Sequence, residues 1–128
     1  MRIMMYCDGT KGTLDALPVV MEHARSFQAQ VDLVSSLPKG NEAQLEEIEQ
    51  REEELESIRS LLENQQIPCE THLLIRGRDA GEDIVDYARK HKVSEIIMAA
   101  GKSLFEKLSR SWTANRVTSS ARCPVVLV

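Results

Sequence analysis

The sequence predicts an α/β protein built on an open five-stranded parallel sheet with helices on both faces, a doubly wound three-layer arrangement. Three observations lead there. Five short apolar runs alternate with four longer segments whose apolar residues recur every three or four positions. Glycine, proline or aspartate punctuates most of the junctions. The closing run Val125-Val126-Leu127-Val128 is apolar at every position, so it needs cover on both faces, as strands of a parallel sheet have.

The first strand is predicted over Arg2 to Cys7, followed by the turn Asp8-Gly9-Thr10-Lys11-Gly12-Thr13. Thr13 is a candidate helix cap. The helix that follows runs to about Ser26, with Leu14, Leu17, Val20, Met21, Ala24 and Phe27 marking its buried face. Pro18 falls in its first turn or so, where a missing N–H costs little. Gln30 to Ser36 reads as the second strand, closed by the loop Leu37-Pro38-Lys39-Gly40-Asn41.

From Asn41 to Gln66 the pattern is helical, with Leu45, Ile48, Leu55, Ile58, Leu61 and Leu62 on the core side. The run of Glu46, Glu47, Glu49, Glu52, Glu53, Glu54 and Glu56 reads as a solvated face, since no oxygen-ligand loop with a glycine turn accompanies it. Pro68 stops that helix, and Cys69 to Ile75 forms the third strand. After Arg76-Gly77-Arg78, Asp79 caps a helix reaching Lys92, with Ile84, Val85, Ala88 and Val93 on its apolar side. The fourth strand is Ser94 to Ala100. Then come Gly101-Lys102-Ser103, a polar helix from about Leu104 to Ala121, and the fifth strand, Cys123 to Val128.

The chain has 128 residues, 42% apolar and 28% charged, which suits one folded domain spanning 1–128 with one hydrophobic core. A net charge of −4 offers no basic field for nucleic acid. The N-terminus meets Asp8 too early for a signal peptide, and no window is apolar enough for a membrane span, so the expected location is the cytoplasm, with no membrane partner. Cys7, Cys69 and Cys123 are odd in number and widely spaced, and read as reduced thiols. His23, His72 and His91 fall on separate elements with no metal-ligand spacing, and no serine, histidine and acid form a hydrolase motif. No catalytic or metal residue is assigned.

Asp8-Gly9-Thr10 with Leu14-Asp15-Ala16-Leu17, then Gly77 to Ala88, and above all Ala114-Asn115-Arg116-Val117 through Cys123-Pro124-Val125-Val126-Leu127-Val128 resemble the universal stress protein family in order over essentially the whole chain. The resemblance implies an adenine nucleotide alpha hydrolase-like sheet, a homodimer joined through the last strand, Cys123 to Val128, and in one branch of the family a bound ATP or related adenine nucleotide with Mg2+. Ligands of such sheets lie beyond the carboxyl ends of the strands, where strand order reverses.

On that resemblance, Asp8 and Gly9 stand beside the nucleoside position; Asp8 is alternatively a turn-forming residue before Gly9. The family's phosphate motif needs glycine, two residues, glycine, nine residues, then glycine with Ser or Thr. Gly101 takes the second glycine, Ser111 stands in place of the third, Trp112 in place of the hydroxyl residue, and Met98 or Ala99 in place of the first. Gly101, Lys102 and Ser103 still form a strand-to-helix arrangement suited to anions, or else an ordinary turn with a solvated lysine. A P-loop is discounted because its spacing puts a glycine at Ile96. Trp112 is a base-stacking platform or, preferably, a packing residue under the last helix.

Two functions follow. The preferred one is a stress-response regulatory or interaction protein, dimeric, with a degenerate nucleotide-binding motif and a protein partner that the sequence does not name. The alternative is an adenine-nucleotide (ATP/AMP) sensor with at most slow hydrolysis.

Overall fold

The computed structural model describes residues 1–37, 44–75, 79–100 and 104–128, with the backbone alone over 104–111. The loop residues Pro38 to Asn41, Arg76 to Arg78 and Gly101 to Ser103 of the sequence reading lie outside the described residues. In chain order the elements are β1 (Arg2–Tyr6), a 3-10 turn (Lys11–Ala16), α1 (Leu17–Phe27), β2 (Gln30–Leu37), α2 (Gln44–Asn64), β3 (Cys69–Ile75), α3 (Ala80–Lys90), β4 (Glu95–Met98), α4 (Leu104–Ser120) and β5 (Val125–Leu127).

The five strands form one sheet in the order β3-β2-β1-β4-β5, every pair parallel. Strict alternation along the strands sorts the core into two layers. Ile3, Met5, Leu33 and Ile97 face one side, with Val20 and Ala24 of α1 and Leu55, Ile58 and Leu62 of α2. Met4, Val34, Ile96 and Met98 face the other, with Ile84, Tyr87 and Ala88 of α3 and Ala114 and Val117 of α4. The predicted α/β architecture is therefore the observed one.

Asp79 caps α3 as predicted, its side chain accepting from the Glu82 N–H at 2.9 Å. Thr13 does not cap a helix. It lies buried inside the 3-10 turn, and the α-helix starts only at Leu17. Pro18 accounts for the delay: it has no N–H to give to the carbonyl four residues back, and its ring crowds that carbonyl, so the preceding segment winds more tightly. The apolar stripes are also shorter than predicted. Leu14 before α1, Phe27 at its end, and Leu45 and Leu61 on α2 are exposed; Leu61 adjoins the buried Leu62 and so lies off the stripe. The fourth and fifth strands keep only their central residues, four and three respectively.

Candidate functional site

Strand order reverses between β1 and β4, so the crevice of this sheet opens beyond the carboxyl ends of those two strands. Asp8 and Gly9 follow β1 there. The Asp8 Oδ1 accepts from the Thr10 N–H at 2.9 Å, the Thr10 Oγ1 at 2.7 Å and the Thr13 Oγ1 at 2.6 Å. The Asp8 N–H in turn donates to the Thr13 Oγ1 at 3.1 Å. Asp8 therefore holds the turn after β1 through its Oδ1.

Gly9 has φ +85, in the left-handed region that favours glycine, and a Cβ there would overlap the guanidinium of Arg51. Arg51 reaches this position from α2. Its Nη1 donates to the Ser35 Oγ at 2.6 Å, and that hydroxyl donates to the Cys7 carbonyl at 2.7 Å. A cation is thus fastened across the ends of β1 and β2. Behind it, burial and the Asp8 charge, partly opposed by Arg51, push the Tyr6 phenol up to about 12. Burial also raises the Cys7 thiol far above its ordinary range, which makes it a poor nucleophile. On the other face, Ser36 at the end of β2 donates to the fully buried Asp83 Oδ2 at 2.7 Å. Asp83 lies in the first turn of α3, where the helix dipole favours a carboxylate.

Of the residues proposed from sequence, Asp8 and Gly9 stand at the crevice, while Gly101, Lys102 and Ser103 lie outside the described residues. Ser111 falls on α4, known here by its backbone. Trp112 does not pack under that helix: it is 73% exposed. The stripe that α4 buries is Ala114, Val117 and the partly buried Ala121, and Trp112, two residues before Ala114, points away from it. Met98 and Ala99, either of which stands in place of the first glycine, are both buried, Met98 in the layer under α3 and α4 and Ala99 in the other.

Arg51, Ser35 and Thr13 were missed as site residues. Arg51 did leave a signal. It lies three residues after Ile48 and four before Leu55, in phase with the core stripe of an acid-rich helix, a position that Arg59, between Leu55 and Leu62, shares. The histidines were also less separate than their elements suggested: the rings of His72 and His91 lie 6.2 Å apart, with Tyr87 stacked on His91 at 3.9 Å.

An open groove of about 580 Å³ runs between α3 and α4, away from the crevice. Among its cations, Arg116 pairs with Glu82 and Arg89 with Asp86. Arg89 lies in the last turn of α3 and Arg122 just beyond α4, where positive charge offsets the helix dipoles. No helix among the described residues is long and apolar enough to cross a membrane.

The sheet order and the crevice define a three-layer α/β protein of the adenine nucleotide alpha hydrolase-like class. The match to the universal stress protein family covers residues 1–128, and the chain belongs to that family. A universal stress protein of Methanocaldococcus jannaschii is 29% identical over 139 residues, spanning 99% of this chain and 81% of the relative. A universal stress protein structure from Archaeoglobus fulgidus superposes with a TM-score of 0.86 at 30% identity, covering 99% of this chain and 92% of that one. A second from the same organism, in complex with dAMP, gives a TM-score of 0.83 at 26% identity, covering 99% and 96%.

Proposed function

We propose that this chain is a regulatory protein of its family that binds an adenine nucleoside monophosphate in the crevice beyond β1 and β4 and acts through binding rather than turnover. The observation that carries this reading is Arg51, a guanidinium tied to Ser35 and laid over Gly9 at the crevice of a chain with net charge −4. A cation so placed supplies the charge that a nucleotide phosphate, or the face of a purine, needs. The Archaeoglobus relative in complex with dAMP, at 26% identity, supports the choice of ligand class. The departures from the glycine motif support the choice of a single phosphate. With Met98 buried in the core, and Ser111 and Trp112 in place of glycine and a hydroxyl residue, the backbone cradle for a triphosphate with its Mg2+ is reduced. A monophosphate needs one cation and one helix N-terminus.

Titration of ligand-stripped protein with AMP, ADP and ATP, with and without Mg2+, tests the reading by calorimetry. Saturation by AMP at micromolar levels, weakened about tenfold or more by Arg51→Ala through loss of a charged contact, is the expected result. Absence of binding at millimolar AMP overturns it.

The homodimer through Cys123 to Val128 is the second part of the proposal. β5 is an edge of the sheet, with Leu127 and Val128 exposed. An apolar edge with open backbone groups favours pairing with its own copy.

A further inference from the structure

Away from the crevice, at the amino-terminal corner of the sheet, one face carries charge where an apolar row belongs. The pairing register sets Asp32 directly opposite Glu70 and Val34 opposite His72, so Asp32, Glu70 and His72 share a face. Asp32 is fully buried. Its carboxylate accepts from the Tyr87 hydroxyl at 2.9 Å and from the Gln30 Nε2 at 3.1 Å, and the Arg2 Nη1 lies 3.0 Å from both of its oxygens. The Arg2 Nη1 also lies 3.8 Å from the Glu70 Oε2.

The His72 Nε2 is buried and makes no hydrogen bond among the described residues, although it faces the Glu70 Oε2 at 3.4 Å. The two atoms have the separation of two ligands of one tetrahedral ion. Ligands about 2.0–2.2 Å from zinc lie about 3.3–3.5 Å apart. One donor atom from each of Asp32, Glu70 and His72 falls within 4.8 Å of the others.

We propose that Asp32, Glu70 and His72 form a divalent transition-metal site in which the Arg2 guanidinium is an internal cation that the ion displaces. Two carboxylates against one arginine leave a net charge of −1, and a divalent ion in place of the guanidinium balances them. Arg2 is suited to leave, because its side chain is 36% exposed and sits at the first position of β1, so it can turn outward into water. Tyr87 and Gln30 keep the Asp32 carboxylate oriented from behind, as the supporting residues of metal sites do. The single imidazole selects a zinc-like ion over Mg2+ or Ca2+, which take oxygen ligands. With three protein ligands, the fourth position is left to water. The ion would bind β3, the outer strand, to β2.

The test is titration of chelator-treated full chain with Zn2+ and Mg2+ by calorimetry, and with Co2+ by visible absorption. Expected are one equivalent of Zn2+, no saturation by Mg2+, and four-coordinate Co2+ bands without a thiolate charge-transfer band. His72→Ala and Glu70→Gln should each weaken Zn2+ by about tenfold or more, and Arg2→Gln should strengthen it severalfold. Glu70 is half exposed, so Glu70→Gln decides the matter if His72→Ala fails to fold. Absence of Zn2+ binding, a thiolate band, or an affinity unchanged by Glu70→Gln overturns the site.

Discussion

The guanidinium of Arg51 occupies the space that a side chain at Gly9 would fill, and the backbone at Gly9 is left-handed at φ +85. One glycine thus serves both the turn after β1 and the seating of a cation that reaches in from α2. Any L-residue at position 9 would meet the backbone strain and would also push Arg51 off Ser35. Gly9→Ala should lower stability by about 1–3 kcal/mol, read from the urea midpoint. In an Arg51→Ala background the same change should cost less, because only the strain remains. Equal costs in both backgrounds would separate the two residues energetically.

Tyr87 and Asp32 are joined across 55 residues of sequence by one buried hydrogen bond. Tyr87→Phe removes a donor from a carboxylate that stays buried, which should cost about 1–3 kcal/mol. Urea unfolding at neutral pH measures it, and a loss below about 0.5 kcal/mol would mean that Arg2 and Gln30 suffice.

The exposed edge of β5 carries the third prediction. Light scattering of the wild type should give a dimer, and Leu127→Asp, which sets a charge on an exposed apolar position of that edge, should give a monomer of unchanged helicity. A monomeric wild type at high micromolar concentration would remove β5 as a dimer interface.

Alkaline pH probes Tyr6. Its ordinary value is 10.0 and burial pushes it up to about 12, so the folded state keeps a proton that the unfolded chain releases. The stabilisation is complete below pH 10 and is lost as pH rises to about 12. Wild type should therefore lose on the order of 2 kcal/mol more than Tyr6→Phe across that window, measured by urea midpoints. Parallel curves for the two proteins would show that the phenol ionises freely in the fold.

Much of the architecture was legible because it is written in local patterns. Asp79 before an apolar helix and Pro68 after one each act over a few residues, and Val125 to Leu127 did form a strand, but as a sheet edge with Leu127 and Val128 exposed rather than covered on both faces. The same locality explains the misses. Thr13 looked like a cap because its neighbours looked helical, but Pro18 shifted the helix start and freed Thr13 to bond Asp8. Trp112 looked like a packing residue by its chemistry alone, and its place two residues off the buried stripe of α4 exposed it.

By itself the sequence determined five strands, four helices and a parallel sheet, because period-two and three-to-four-residue patterns are properties of short segments. Only the tertiary structure decided that Arg51 lies over Gly9, that Asp32 meets Arg2, Tyr87 and Glu70, and that His72 faces a carboxylate. Apart from His72 and Glu70, which share a face of β3 two residues apart, these groups lie tens of residues apart. What brings them together is strand order and register, set when two core layers close at once on one sheet, and no short window of sequence carries that information.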